Sequence, residues 1–210
     1  DRGTLLFASE LGALLCDKAV DRTMDPLALD GYLRTLTVPE PRCIYRAVKK
    51  VPAGHYLHVN GLGTELHGYF DLEVGGDRTL TEAQHQEQLR EALEQTVGLS
   101  LCSDVEVGCF LSGGVDSSAL VAIASQRHEK PIRTYSLGFD ERTFDERPES
   151  RRVSQAFRSR HCEIRLTRNE AVDFPDRLVK HLDEPFADSS ALPTFALSER
   201  AAEDVKTVLS

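Results

Sequence analysis

The chain has 210 residues, of which 40% are hydrophobic and 28% charged, and its formal net charge at pH 7 is −9. This length accommodates one large or two small domains, and the ordinary globular composition excludes extensive disorder. An acidic chain with no dominant cluster of Lys and Arg argues against nucleic acid as a partner, and no apolar run approaches the roughly 20 residues of a membrane span.

The five cysteines are odd in number and widely spaced, and none forms a C-x-x-C pair. Neither a disulfide framework nor a zinc site fits this pattern. We therefore expect free thiols in a reducing, cytoplasmic environment.

The first 73 residues predict a β-rich unit with small helices. An Asn60-Gly61 turn between two alternating runs indicates a β-hairpin, and the prolines after residue 36 end a helical run. Nothing in the sequence pairs Glu10 with His55, so we interpret these two acid–base candidates as structural residues. The expected strands cover residues 5–8, 55–59 and 64–70, and the expected helices cover residues 10–15 and 30–36.

Residues 74–80 are typical of a linker, and the pattern then changes to alternating strands and helices. Thr81 and Gln84 form a capping box that predicts a helix over residues 81–101. Strands separated by helices predict a parallel sheet with right-handed crossovers, whose ligands bind beyond the carboxyl ends of the strands. The strands are expected at residues 105–111, 132–137, 162–166 and 206–209, and the further helices at residues 117–127, 148–158, 170–182 and 192–202.

The sequence L-S-G-G-V-D-S-S at residues 111–118 joins the first of these strands to a helix. Glycines allow close backbone approach, and serines at a helix N-terminus donate hydroxyls where backbone N–H groups are unpaired. The arrangement favours a phosphate, but Asp116 would repel it unless Mg²⁺ lies between them. No Lys follows the glycines, so the sequence is not the G-x-x-x-x-G-K-[ST] loop. An ordinary strand-to-helix turn is the simpler alternative.

With its flanking residues, this sequence (C-F-L-S-G-G-V-D-S-S) resembles the pyrophosphate loop of the ATP pyrophosphatases, and most of all that of the asparagine synthetase family. L-L-F-A-S-E-L-G-A-L-L and V-K-K-V-P-A-G-H-Y-L resemble the last third of the glutaminase domain that precedes the synthetase domain in this family. The resemblance implies three parts. Residues 1–73 are the C-terminal part of a type 2 glutamine amidotransferase domain, 74–80 a linker, and 81–210 the N-terminal part of the synthetase domain.

The implied fold is α/β. An incomplete parallel-sheet domain of the adenine nucleotide alpha hydrolase type follows the β-rich end of an α+β N-terminal-nucleophile glutaminase domain. The implied reaction is ATP-dependent amide formation, from aspartate, glutamine and ATP to asparagine, glutamate, AMP and pyrophosphate through an acyl-adenylate.

The family's nucleophilic cysteine and its second pyrophosphate loop have no counterparts here beyond Ser210, so we expect this segment alone to be inactive. Three alternatives stay open. They are a relative that amidates another carboxylate, a noncatalytic scaffold, and a tRNA-modifying pyrophosphatase, which would favour a basic surface. The resemblance also leaves open a homodimer.

The resemblance assigns roles to residues of the loop and of the neighbouring strand end. Asp116 and Ser112 are the catalytic candidates, and Asp116 is the expected Mg²⁺ ligand. The strand-end leucines Leu111 and Leu137 have an equally simple interpretation as core residues. The expected ATP-binding residues are Leu111, Ser112, Gly113, Gly114, Asp116, Ser117, Ser118, Leu137, Gly138 and Ser210.

A second acidic motif, D-E-P-F-A-D-S-S-A-L-P, covers residues 183–193. Composition alone indicates a proline-broken loop that caps a helix. The same run recurs on the active-site side of the synthetase family, and the resemblance therefore places Asp183, Glu184 and Asp188 on the substrate side. Weaker candidates are Glu146, Arg151 and His161.

Overall fold

A computed structural model describes residues 4–61, 63–76, 79–139 and 145–210 of the chain. The chain packs into two compact units. The first contains Asp1–Gly76 and Asp176–Ala191, and the second contains Asp77–Pro175 and Leu192–Ser210. Packing therefore groups most of the second acidic motif with the N-terminal unit, whereas the division at residues 73 and 80 stays a prediction.

The first unit contains two helices, α1 (Leu11–Leu14) and α2 (Pro26–Thr35), and one antiparallel hairpin of β1 (His55–Asn60) and β2 (Gly63–Gly68). The helix α2 begins earlier than predicted because the Asp25 side chain accepts a hydrogen bond from the Leu27 N–H and Pro26 occupies the first turn. The predicted strand at residues 5–8 is wrong. These residues are exposed and pair with no strand in the described part of the chain.

A small core of Ala28, Val38, Cys43 and Ile44 holds the first unit together. The Glu184 carboxylate is bonded to this core's edge. It accepts a hydrogen bond from the Ile44 N–H at 2.7 Å and forms an ion pair with Lys50. The carboxylate is mostly shielded from solvent, so it satisfies a backbone N–H that would otherwise be costly to bury. This bond explains why Asp176–Ala191 packs with residues far earlier in the chain.

In the second unit every predicted helix and strand from residue 81 onward is present, with shifts of a few residues at the ends. Thr81 and Gln84 form the predicted capping box. The strands are β3 (Val107–Phe110), β4 (Arg133–Phe139), β5 (Arg160–Leu166) and β6 (Thr207–Leu209), and the helices are α3 (Glu82–Ser100), α4 (Val115–Arg127), α5 (Arg147–Phe157), α6 (Arg168–Leu178) and α7 (Ala191–Ala201).

The four strands form one sheet in the order β5-β4-β3-β6, and each neighbouring pair is parallel. The predicted parallel α/β architecture is thereby confirmed. Because the strands are parallel, their carboxyl ends meet at one edge, where β3 leads into the S-G-G loop.

One core of the second unit lies between the sheet and helices α3 and α4, and another packs α6 and α7 against β4 and β5. In the first of these cores, Cys109 on β3 packs with Leu111, Val121 and Val97. Burial raises the pKa of the Cys109 thiol to about 11, which makes it an inert core residue. All five cysteines are free thiols, as the sequence predicts. Among the described residues no helix combines the length and apolarity that crossing a membrane requires.

Candidate functional site

The loop from Leu111 to Gly114 turns sharply between β3 and α4. The Leu111 N–H donates to the Tyr135 carbonyl at 2.8 Å, which prolongs the β3–β4 pairing to the start of the turn. Gly113 has φ +88°, and a Cβ there would lie 2.6 Å from Glu149 Cβ and 2.7 Å from the Ser150 nitrogen. A side chain is therefore excluded both by the backbone conformation and by α5.

The side chains of Ser112 and Ser117 are hydrogen-bonded to each other across this turn. Ser112 Oγ lies 2.9 Å from Ser117 Oγ and accepts the Gly114 N–H at 3.2 Å. Gly114 is the N-cap of α4 and supplies no side-chain cap. The first N–H groups of α4 thus stay available to an anion, and two hydroxyls stand beside them.

A pocket of about 650 Å³ opens at this point, at the carboxyl edge of the sheet. It brings together six of the predicted ligand-binding residues: Leu111, Ser112, Asp116, Ser117, Leu137 and Ser210. The lining also contains Phe110, Leu120, Ser136, Phe139, Asp145, Glu146, Pro193 and Leu197.

Every charged side chain in the described lining is a carboxylate, and no Lys or Arg is among these residues. The three carboxylates belong to Asp116, Asp145 and Glu146. Arg147 holds Asp145 through two bonds, Nε to Oδ1 at 2.6 Å and a terminal nitrogen to Oδ2 at 2.9 Å. These bonds hold the pKa of the Asp145 carboxyl below its usual value. The Asp116 side chain, exposed in the first turn of α4, forms no hydrogen bond or ion pair with any described residue.

The other predicted ATP-binding residues are not part of the pocket lining. Gly113 and Gly114 shape the turn, and the Ser118 N–H makes the first helical bond, to the Gly114 carbonyl. Gly138 is buried against the Arg147 side chain, which leaves no room for a Cβ. Leu111 and Leu137 are almost fully buried, so their side chains are core residues even though both contribute to the pocket lining.

The acidic motif at residues 183–193 is not brought to this pocket, apart from Pro193. Glu184 bonds within the first unit, and Asp188 accepts the Ser190 N–H at 2.7 Å just before α7. The substrate-side role of Asp183, Glu184 and Asp188 stays a prediction. Arg151 is paired with Glu163 through two bonds of 2.8 and 2.6 Å.

Sequence reasoning missed Ser136, which adjoins Leu137 on β4, and named His161 only as a weaker candidate, without its bonded partners. Ser136 Oγ lies 3.1 Å from His161 Nε2, and His161 Nδ1 lies 2.8 Å from Thr134 Oγ1. Thr134 Oγ1 also lies within hydrogen-bond distance of Ser159 Oγ, at 2.8 Å. The signal available in the sequence was the polar residues within or next to two predicted strands. In the parallel sheet the register brings such residues together, as it brings Thr134 opposite His161.

We expect His161, whose side chain is 10% exposed, to make stability dependent on pH. Burial lowers the pKa of its imidazole, and the Arg151 charge adds to this while Glu163 opposes it. Between the lowered folded pKa and the unfolded value of 6.5, the unfolded chain binds more protons, so the free energy of unfolding decreases as pH falls.

We expect this loss to reach at most about 1.4 kcal/mol per pH unit from this group. Urea midpoints from circular dichroism at pH 7.5, 6.5 and 5.5 measure it. In a His161→Gln variant the midpoint should change less over the same range. An equal change in both proteins would assign the pH dependence to other groups.

Comparison with known proteins adds two family matches. The asparagine synthase family model matches residues 88–210, and a glutamine amidotransferase domain model matches residues 1–70. Among solved structures, an NH3-dependent NAD synthetase from Campylobacter jejuni matches with a TM-score of 0.40 at 15% identity. The matched region covers 58% of this chain and 54% of that chain.

Two curated relatives have similar sequences over nearly the whole chain. Asparagine synthetase [glutamine-hydrolyzing] 1 of Bacillus subtilis is 31% identical over 205 residues, which cover 97% of this chain and 32% of that protein. A putative asparagine synthetase [glutamine-hydrolyzing] 2 of Methanocaldococcus jannaschii is 29% identical over 100% of this chain and 41% of its own length. The chain thus spans less than half the length of these relatives. Since the first family model covers more than half of the chain and includes the S-G-G loop and its pocket, the chain belongs to the asparagine synthase family.

Proposed function

We propose that the pocket at the carboxyl edge of the sheet binds ATP together with Mg²⁺, and that the protein uses it for ATP-dependent amide formation. The proposal rests on the two serine hydroxyls and the free N-terminus of α4, together with a set of carboxylates and no basic residue in the described part of the lining. Hydroxyls and helix N–H groups attract phosphate. The carboxylates repel it unless a divalent cation is bound between them.

The residues present suit Mg²⁺. This ion takes oxygen ligands, commonly one or two carboxylates together with phosphate oxygens and water. Asp116 and Glu146 offer carboxylates without a described partner, whereas both oxygens of Asp145 are engaged by Arg147. We assign Asp116 as the ligand because it lies in the first turn of α4, beside the hydroxyls and N–H groups that would hold the phosphates. Bound there, Mg²⁺ would supply the positive charge that offsets the charge of the phosphates.

The chain's own groups bind and position the nucleotide in this proposal. The hydroxyls of Ser112 and Ser117 and the N–H groups at the start of α4 hold the phosphates. The backbone at Leu111 and Leu137 flanks the adenine, and Ser210 at the end of β6 completes the lining. In this proposal, positioning of the substrates and charge neutralisation supply most of the rate enhancement.

For the reaction, we infer the conversion that the names of the relatives imply. A carboxylate oxygen of aspartate attacks the α-phosphorus of ATP, and the bond to pyrophosphate breaks to leave an acyl-adenylate. Ammonia from glutamine then attacks the acyl carbon, and AMP leaves with the bonding electrons to give asparagine. Amidation of another carboxylic acid is the second candidate, because the described lining contains no basic group that would select aspartate.

Pyrophosphate release by the full-length protein, measured with a panel of carboxylic acids, tests the proposal. We expect release that depends on ATP, Mg²⁺ and an acid, with aspartate as the best acid. Release with a different acid and none with aspartate would replace the substrate but keep the reaction class. If ATP and Mg²⁺ bound with no release for any acid, the chain would be a noncatalytic scaffold instead.

A further inference from the structure

A second group of ligand-type side chains lies in the first unit, on one face of the β1–β2 hairpin. His58 pairs directly with Glu65 across the two strands, and His67 follows Glu65 by two residues on the same face. One face of a strand pair holds directly opposed and diagonal neighbours within reach of each other. The hairpin register therefore gathers two imidazoles and one carboxylate.

The distances between these groups suit a metal ion. One ligand atom from each of the three side chains can be chosen so that all three lie within 4.8 Å of one another. His67 Nε2 lies 3.4 Å from Glu65 Oε2. Two ligands bound tetrahedrally at the usual zinc distances lie about 3.3 Å apart, so this pair already has the required spacing.

The surroundings allow an ion to reach the site and orient one ligand. The His67 side chain is 42% exposed and that of Glu65 62% exposed, so neither needs a large movement of the backbone to bind an ion. The Tyr56 ring stacks on His67 with centroids 5.1 Å apart and an interplanar angle of 22°. This contact restricts the imidazole while its Nε2 faces Glu65.

We propose that His58, Glu65 and His67 form a zinc-type site for a divalent transition metal, separate from the ATP pocket. Two imidazole nitrogens and one carboxylate oxygen are the donors of open three-ligand zinc sites, whereas Mg²⁺ and Ca²⁺ favour oxygen donors alone. The fourth position is left to water or to an external ligand. A bound ion would also cross-link β1 and β2, since it takes ligands from both strands.

Calorimetric titration of the protein with Zn²⁺ tests this site. We expect one equivalent to bind, and the His67→Ala substitution to weaken the affinity at least about tenfold, the order found when a metal site loses a supporting group. The matched control is His85→Ala, which removes an exposed imidazole from α3 and should leave the affinity unchanged.

Two further measurements separate this site from adventitious binding. Co²⁺ in place of Zn²⁺ should give visible d–d bands without a thiolate charge-transfer band, because no cysteine belongs to the site. Circular dichroism of the metal-free proteins checks that the variants fold. Absence of stoichiometric binding, a thiolate band, or unchanged affinity in a folded His58→Ala/His67→Ala variant would overturn the proposal.

Discussion

Replacement of Asp116 by alanine in the full-length protein is expected to reduce turnover of ATP with Mg²⁺ at least about 100-fold while the protein stays folded. The size follows from losing an electrostatic partner of a highly charged reacting group, where one such group commonly contributes factors of 10² to 10³. The fold should survive because Asp116 is exposed and its side chain makes no described hydrogen bond or ion pair. Pyrophosphate release measures the loss, and thermal unfolding measures the stability.

Two comparisons make this result specific. Asp116→Asn keeps the size of the side chain and removes its charge, so it should lose nearly as much activity as the alanine variant. Asp104→Ala removes an exposed carboxylate just before β3 and should retain the activity. Full turnover in Asp116→Asn would show that the carboxylate does not bind Mg²⁺.

Gly113→Ala is expected to lower the free energy of unfolding of the second unit by about 2–5 kcal/mol. A left-handed conformation costs an L-residue roughly 1–2 kcal/mol, and overpacking adds about 1–3 kcal/mol. Here the new Cβ meets the Glu149 Cβ and the Ser150 backbone nitrogen, and neither is the movable end of a side chain. Urea unfolding measures the loss.

Gly114→Ala on the same loop provides the matched control for stability. Gly114 has φ −68°, and its new Cβ would meet only the Ser112 hydroxyl, at 3.3 Å. That hydroxyl can rotate, so the loss should be clearly smaller than for Gly113. Equal losses for the two variants would mean that the contact with α5 does not limit this loop.

Much of the second unit was predictable from local patterns. The capping box of Thr81 and Gln84 indicates the start of α3, and short apolar runs alternate with helical runs along the chain. Such signals depend on neighbours within a few residues. The S-G-G loop was recognisable for the same reason, since its position after a strand and before a helix is itself local information.

What the sequence did not predict depends on contacts between distant residues. The apolar residues 5–8 have the composition of a strand but no described partner strand, and a strand forms only when its backbone groups are paired. Ser136 and Asp145 join the pocket through strand register and the bond to Arg147. Neither the strand register nor the bond to Arg147 produces a periodic pattern of residues in the sequence.

The bond between Glu184 and Ile44 also orders events during synthesis. Its two residues are 140 positions apart, and the intervening chain includes most of the second unit. At about 5–20 residues per second, a ribosome adds Glu184 about 7–28 s after Ile44. The nascent first unit therefore waits for this segment, and the Ile44 N–H can only bond to water, while β3, α4 and β4 are already emerging. The N-terminal unit begins first and is completed late.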